Sequence, residues 1–280
     1  MMRHSVLSRW QGSLLGSALG ERFTWQGKAS ENRWQAIHQQ GVKHLATTGQ
    51  WQAFLEQREL NHGELLVRSL PLLLFFHDQP QLLREQILAV ANPSENFSAK
   101  TSAIIAYATV ASWTLREQLC APTLFRDLLA TAEGKSNDKI LQTLQTNLEK
   151  GETLQATRKQ LPSTCQDIWL ALYCFATTAE DFLLTLRRGQ TMTSVSPFVL
   201  PLVGALSGAQ NSISAIPIPW RCWLQEEKQE WEIMLEAMFA TWSGSYKFAR
   251  INQPLKQSAI AACQVIQPRK GSYHQKKHSE

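Results

Sequence analysis

Residues Asp181–Trp223 read DFLLTLRRGQTMTSVSPFVLPLVGALSGAQNSISAIPIPWRCW, and this stretch predicts how the rest of the chain packs. Its pattern predicts a helix over Asp181–Arg188, a polar turn over Gly189–Ser196 and a second helix that is rich in small residues. The second helix is expected to end at IPIPW, because Pro217 and Pro219 lack the backbone N–H and have a fixed φ. The stretch therefore predicts a helical hairpin with a polar turn at its centre.

Small residues on the second predicted helix favour close packing against another backbone. The small positions are Gly204, Ala205, Ser207, Gly208 and Ala209. The polar turn leads into this helix, and the N–H groups and positive dipole end of a helix N-terminus suit an anion such as phosphate. Two interpretations stay open: a ligand site at the turn, and a plain helical hairpin with a Gly/Ala packing face.

A matching glycine series lies near the N-terminus. The segment Ser8–Phe23 carries Gly12, Gly16 and Gly20 at four-residue spacing, which places them on one face of a helix. Each helical glycine costs about 1 kcal/mol relative to alanine, so we infer that close packing or a ligand requires them. We expect the helix to end at Gly20 and a polar loop to follow over Glu21–Ser30.

Composition predicts an all-α protein. The chain has 280 residues, of which 44% are hydrophobic and 18% are charged, a profile typical of a helical globular protein. We count about ten to twelve helices, and we find no convincing alternating strand and no repeat of fixed period. We therefore expect a single orthogonal multi-helix bundle over residues 1–267, and not a helical solenoid. Residues 268–280 (PRKGSYHQKKHSE) are expected to form a basic, disordered tail.

Several classes of protein are disfavoured. Outside the tail no basic stripe with interleaved aromatic residues occurs, so we expect no nucleic-acid binding. No apolar run reaches the roughly 20 residues of a membrane span. The five cysteines are scattered and include no CxxC pair, which indicates a reduced, cytoplasmic protein without a zinc site or a disulfide framework.

The segment Asn61–His77 (NHGELLVRSLPLLLFFH) predicts a buried helix that is kinked by Pro71. Arg68 in such apolar surroundings needs a partner, and Glu64, one turn earlier, is the expected one. Upstream, we expect a helical piece followed by a link over Gly41–Gly49 (GVKHLATTG).

Three blocks, in this order, resemble a known family. Arg9–Glu21 (RWQGSLLGSALGE) is a glycine-rich helix, His62–Leu74 (HGELLVRSLPLLL) contains Gly, Arg and Pro, and Val203–Trp220 (VGALSGAQNSISAIPIPW) ends at Ile-Pro and Trp. Together they resemble the opening, middle and closing blocks of the ADP-ribosylglycohydrolases, the enzymes that remove ADP-ribose from modified proteins. The resemblance covers about residues 8 to 225 and implies an all-α fold.

The metal ligands of that family are missing from this sequence. The resemblance implies two Mg²⁺ ions held by a Thr-Asp-Asp-Thr motif between the first two blocks and by a Gly-Gly-Asp-x-Asp-Thr motif before the closing helix. This chain has no Asp before Asp78 and none after Asp181. The early motif maps near Thr47–Gln52 (TTGQWQ), and the late one onto Arg188–Thr193 (RGQTMT) or Thr193–Phe198 (TSVSPF), none of which contains an acid.

A dinuclear magnesium centre is therefore not expected, because Mg²⁺ is normally held by carboxylates and two close cations repel each other. In the opening block Glu21 stands where the family has Asp, and the resemblance makes it a candidate catalytic residue. The resemblance implies ligand contacts at Gly20, at Gln190, Thr191 and Thr193 of the turn, and at Asn211 near the end of the closing helix. For the last four, ordinary turn or helix-end roles stay open.

Three hypotheses of function follow. The first is a catalytically degenerate member of the family that still binds ADP-ribose or a related nucleotide, or acts as a regulatory protein. The second is an active hydrolase of ADP-ribosyl bonds that works without metal, with Glu21 and either Glu64 or His62 as acid and base. The third is a structural protein that binds a protein partner.

Overall fold

The computed structural model describes residues 4–25, 33–51, 61–91, 99–131, 137–222 and 228–245. These ranges contain fourteen α-helices and no strand, so the expectation of an all-α bundle is confirmed. The helices are α1 (Val6–Thr24), α2 (Arg33–Thr48), α3 (His62–Arg68), α4 (Leu70–Phe75), α5 (Pro80–Val90), α6 (Ala99–Leu115), α7 (Leu124–Thr131), α8 (Asp138–Lys150), α9 (Leu154–Gln160), α10 (Gln166–Thr178), α11 (Phe182–Gln190), α12 (Val199–Asn211), α13 (Ile218–Cys222) and α14 (Lys228–Ser243). Short 3-10 helices precede α7 and follow α12.

Helices α1 and α12 pack antiparallel, in more extensive contact than any other pair of helices that the structure describes. A Cβ at Gly16 would overlap the carbonyl oxygen of Gly204, and a Cβ at Gly12 would overlap that of Gly208. At the third position, a Cβ on Gly20 would overlap the Leu200 carbonyl. The two glycine series predicted from the sequence therefore meet each other, and the backbones touch because no side chain intervenes.

Both sides of α1 are buried, which explains why this helix shows no single apolar stripe. Leu14 belongs to the main hydrophobic core, which also contains Trp169 and Phe175 of α10. Leu15 and Leu19 belong to a second, smaller cluster, whose other members are Phe182, Leu186, Leu200 and Ile216. The hairpin α11–α12 covers α1 on the side of this smaller cluster.

The helix α14 docks against the first half of the chain through an aromatic cluster. The rings of Trp10, His77, Phe239 and Trp242 lie with centroids 5.2 to 5.9 Å apart. The indole N–H of Trp242 also donates to Asp78 Oδ1 (3.1 Å). These contacts hold α14, predicted at Glu226–Trp242, against α1 and the residues that follow α4, and its most extensive packing is with α2.

Three predicted boundaries were wrong or shifted. Helix α1 continues through Glu21 to Thr24, where a polar loop was expected after Gly20. The expected link Gly41–Gly49 lies mostly inside α2. A Cβ built on Gly41 would lie 3.1 Å from the ring of Pro71, so this glycine allows close packing and does not break the helix. The kink expected at Pro71 is a break at Ser69, with Pro71 in the first turn of α4.

Some predictions lie outside the described residues, among them the helix at Leu255–Ile266, the basic tail at 268–280 and most of the helix expected from Trp51. The single-domain range 1–267 stays a prediction. Among the helices of the described ranges, none is both long and apolar enough to cross a membrane.

Candidate functional site

The predicted polar turn lies between α11 and α12, where residues 191–198 form successive turns. The Thr191 hydroxyl donates to the Arg188 carbonyl (2.7 Å), and the Thr193 hydroxyl donates to the Gln190 carbonyl (3.0 Å). Gln190 and Thr191 are exposed, whereas Met192 is 1% exposed and anchors the turn to the core. The threonine hydroxyls thus stabilise the local backbone, and their lone pairs remain as acceptors.

The second half of the turn meets a buried carboxyl group. The Ser196 hydroxyl lies 3.5 Å from Asp167 Oδ2, a long hydrogen bond, and it accepts the N–H of Phe198 (3.3 Å). Asp167 lies in the first turn of α10 and is 7% exposed. Its Oδ1 atom accepts the N–H of Ile168 (2.9 Å). Ser196 therefore links this carboxyl to the residue that precedes α12.

The start of α3 completes this group of residues. A Cβ at Gly63 would overlap Asp167 Oδ2 and would lie 2.8 Å from the Cβ of Phe198. The neighbouring His62 is half-buried and attracts the Asp167 carboxylate electrostatically. We call Asp167, Ser196, His62 and Gly63 the Asp167 cluster.

Burial raises the pKa of Asp167 above its usual range. The Ile168 N–H, the charge of His62 and the Ser196 hydroxyl all favour the ionised form, but desolvation outweighs them. A carboxyl group with a raised pKa can donate as well as accept a hydrogen bond over a wider range of pH.

Sequence reasoning missed Asp167. The segment Gln166–Ala176 (QDIWLALYCFA) predicts a strongly apolar, buried helix, and that prediction is confirmed by α10. The sequence does carry a signal for it, which is the single carboxylate in the first turn of an otherwise apolar helix. Asp is almost never fully buried without a partner, so an Asp at this position indicates a polar contact.

Glu21, the candidate catalytic residue, lies in the penultimate turn of α1 and is 5% exposed. Its neighbour Gly20 faces the backbone of Leu200 and Pro201, so α12 fills the space beside that glycine. Gly20 and Gly63 thus both abut the start of α12, where the neighbours of Gly63 include Phe198.

Asn211 lies apart from these residues. It is at the C-terminal end of α12, roughly 18 Å along the helix from the first turn. Its side-chain amide donates to the carbonyls of Ala179 (2.8 Å) and Ser207 (3.0 Å). These bonds match the helix-end interpretation, and a contact of Asn211 with a ligand stays a prediction.

The expected pairing of Arg68 with Glu64 is confirmed. The guanidinium donates through Nε (3.1 Å) and Nη2 (2.7 Å) to the same carboxylate oxygen. Glu64 therefore holds a cation one turn away on α3, which weakens the hypothesis that it acts as a general acid or base.

The described residues onto which the resemblance maps the two metal motifs offer neutral oxygens, which do not fit Mg²⁺. At the early position, the hydroxyls of Thr47 and Thr48 donate to the carbonyl of His44, each across 2.9 Å. At the late position, the side-chain oxygens are the neutral hydroxyls described above. Within the ranges that the structure describes, no three His, Cys, Asp or Glu side chains come together in a group that holds a metal ion.

Comparison with known proteins gives one result. The family model described as ADP-ribosylglycohydrolase matches residues 25–247. The match includes the middle and closing blocks, and it begins after the opening block Arg9–Glu21. No curated protein and no solved structure matches. Because the family model covers well over half of the sequence, the chain belongs to the ADP-ribosylglycohydrolase family.

Proposed function

We propose that this protein is a catalytically degenerate ADP-ribosylglycohydrolase, which has lost the dinuclear Mg²⁺ centre and binds ADP-ribose or a related nucleotide without cleaving it. The observation that carries the proposal is that the turn 191–198, onto which the resemblance maps the late metal motif, contains no acid. Two of its hydroxyls donate to the backbone of the preceding helix. Neutral oxygens of this kind cannot offset the charge of two adjacent divalent cations.

Features that serve binding are retained. The N-terminus of α12 directs its positive dipole end at the turn, although Pro201 removes one N–H from its first turn. Gln190 and Thr191 are exposed at the same turn. An anionic pyrophosphate beside this helix end is favoured by charge and needs no metal.

Binding without turnover suits a regulatory protein in the cytoplasm. The described cysteines are free thiols, and two of them, Cys165 and Cys174, are buried. Free thiols of this kind support a reducing compartment.

Calorimetric titration of ADP-ribose in Mg²⁺ and in EDTA tests the proposal. We expect equal affinity in both buffers and no release of ADP-ribose from an ADP-ribosylated protein. Binding that requires Mg²⁺, or turnover that requires it, would overturn the degenerate-site proposal. Absence of binding in both buffers would overturn the ligand-binding proposal and favour the protein-partner hypothesis.

A metal-independent hydrolase is the second candidate. One observation favours it: Glu21, the candidate catalytic residue of the opening block, is buried. This candidate predicts EDTA-insensitive turnover that Glu21→Gln abolishes. Turnover that survives Glu21→Gln would exclude it.

A further inference from the structure

Helices α13 and α14 each present an exposed isoleucine to solvent. Ile218 is 65% exposed and Ile233 is 59% exposed, more than any other large apolar side chain in the ranges that the structure describes. A single exposed isoleucine is ordinary on a folded protein. What distinguishes these two is that each has a charged residue at the same helical spacing, and that the two charges are opposite in sign.

The exposed face of α13 carries a positive charge. Arg221 lies three positions after Ile218, so the two side chains share one face of the helix. Arg221 is half-buried, and its Nε atom is buried without a hydrogen-bond partner. Among the described residues no carboxylate pairs with Arg221. Contact between the rings of Phe23 and Trp220, whose centroids are 5.0 Å apart, holds α13 against the end of α1.

The exposed face of α14 carries a negative charge at the same spacing. Glu236 lies three positions after Ile233 and is half-buried. Leu235 and Met238, on the opposite side of the helix, are fully buried and fix its orientation. Within the described ranges no basic side chain pairs with Glu236.

These two faces complement each other. Each places an isoleucine three positions before a charge, so parallel alignment of the two helices brings the isoleucines together and places Arg221 beside Glu236. Both isoleucines are exposed, so the two faces do not meet within one molecule. A second copy of the chain supplies the missing face, because every copy carries both.

We propose that this protein associates with itself head to tail, with the α13 face of one copy (Ile218 and Arg221) packed on the α14 face of the next (Ile233 and Glu236). The contact buries two exposed apolar side chains and pairs two half-buried charges. Because the two faces differ, the contact is heterologous and generates closed rings or open chains. The inference goes beyond the proposed function and does not depend on it, since no ligand takes part.

Helix α11 provides a matched control within the same chain. Leu184 is 46% exposed, and Arg187 lies three positions after it, as Arg221 follows Ile218. However, Asp181 lies three positions before Leu184 and is also exposed. This face carries charges of both signs, so it does not complement the acidic face of α14.

Sedimentation velocity of the full chain from about 10 µM to about 500 µM tests the proposal, because small contacts are weak. We expect the weight-average sedimentation coefficient to rise with concentration. Ile218→Gln and Ile233→Gln should each weaken association about tenfold through lost apolar burial, and Leu184→Gln should leave it unchanged. Circular dichroism and thermal unfolding check that each variant is folded.

Charge exchange tests the pairing of Arg221 with Glu236. Arg221→Glu gives one protein two acidic faces, and Glu236→Arg gives another two basic faces, so each variant alone should associate about tenfold more weakly than wild type. An equimolar mixture of the two variants should restore association, because opposite charges again meet. The chain that carries both substitutions should associate by itself, and Arg187→Glu should change nothing.

Both experiments can overturn the proposal. Association that the isoleucine variants weaken and that the mixed charge variants restore supports the head-to-tail contact. Wild-type protein that stays monomeric at the highest concentration overturns it, as does association that is unchanged in the isoleucine variants, equally weakened in Leu184→Gln or not restored by mixing. Isoleucine variants that lower the thermal stability of a protein that remains monomeric would assign these faces to contacts within the chain and would also overturn it.

Discussion

The α1–α12 interface and the Asp167 cluster both depend on glycines at which a Cβ has no space, but different atoms occupy that space. At Gly16 and Gly204 the neighbouring atoms belong to backbone carbonyls, which cannot move without displacing a helix. At Gly63 the neighbours are a carboxylate and the Cβ of Phe198, which belong to side chains. The α1–α12 interface is therefore rigid backbone packing without a titratable group between the glycines, whereas the Asp167 cluster is a contact between polar side chains. A buried glycine in a helix indicates that another part of the chain approaches the helix closely. Whether the approaching atoms belong to a backbone or to a polar side chain decides whether the contact is packing alone or part of a candidate site.

The largest effect is expected from Gly204→Ala. The added methyl group would overlap the Gly16 carbonyl, and the intrinsic helix preference of alanine, about 1 kcal/mol, cannot compensate for separation of the two helices. We expect the free energy of unfolding to fall by about 3 kcal/mol or more, measured by urea denaturation.

Gly189→Ala is the control for this prediction. Gly189 also faces α12, but the nearest atom to its Cβ position is the side-chain Cδ1 of Leu200 at 2.9 Å, which can rotate away. Its cost should be below about 1 kcal/mol. Equal losses in the two variants would show that the backbone contact is not what makes the α1–α12 interface rigid.

Acid should loosen the region around α3 before the α1–α12 interface. The buried His38 ring of α2 bonds through Nε2 to the Val67 carbonyl (2.7 Å), and burial lowers the pKa of His38 from 6.5 to about 4. As the pH falls, His38 is therefore protonated in the unfolded chain before it is protonated in the folded chain. The contribution of neutral His38 to the free energy of unfolding is complete above pH 6.5 and is lost as the pH falls toward 4. The loss amounts to about 3 kcal/mol from the size of the shift.

Hydrogen exchange at pH 7 and pH 5 measures this effect by segment. Amides of α3 should lose more protection than those of α1 and α12. Measured by urea denaturation, His38→Gln should remove most of the pH dependence, because glutamine can still donate to the Val67 carbonyl and does not titrate. An unchanged pH profile in that variant would assign the acid sensitivity to another group.

Gly63→Ala should cost about 2 kcal/mol, less than Gly204→Ala, because the carboxyl of Asp167 can rotate out of the way and only the overlap with the Cβ of Phe198 requires the backbone to shift. A double-mutant cycle with Asp167→Ala measures the coupling, and we expect the double variant to be more stable than the sum of the single changes predicts. Additive effects would mean that the two residues do not contact each other.

The smallest effect is expected from Glu64→Gln. The pair with Arg68 spans one turn of α3 and both side chains are 16% exposed, so its loss should cost about 0.5 to 1 kcal/mol. Urea denaturation in low and high salt measures it. A loss of ligand binding with unchanged stability would instead support a functional role for Glu64.

Local patterns predicted much of this arrangement. The four-residue spacing of Gly12, Gly16 and Gly20 and the small residues of the closing helix each indicated a face for close approach, and the pairing of Arg68 with Glu64 followed from helical geometry alone. Helix ends were less predictable. Glu21 remains helical because the Trp25 N–H still bonds to its carbonyl (3.2 Å), a contact that carries no sequence signal.

The Asp167 cluster was beyond such patterns, because its members are distant in sequence and belong to three separate elements. His62, Asp167 and Ser196 come together only when α3, α10 and the turn 191–198 pack around the start of α12.

Residue order alone thus predicted the helical class and the glycine faces, since these depend on spacing and on residue type. Tertiary packing decided that the two glycine faces meet each other, that α1 continues through Glu21, and that the buried carboxyl of Asp167 lies beside the turn 191–198. The physical reason is that contacts between distant residues depend on which surfaces exclude water together, and no local period in the sequence encodes that choice.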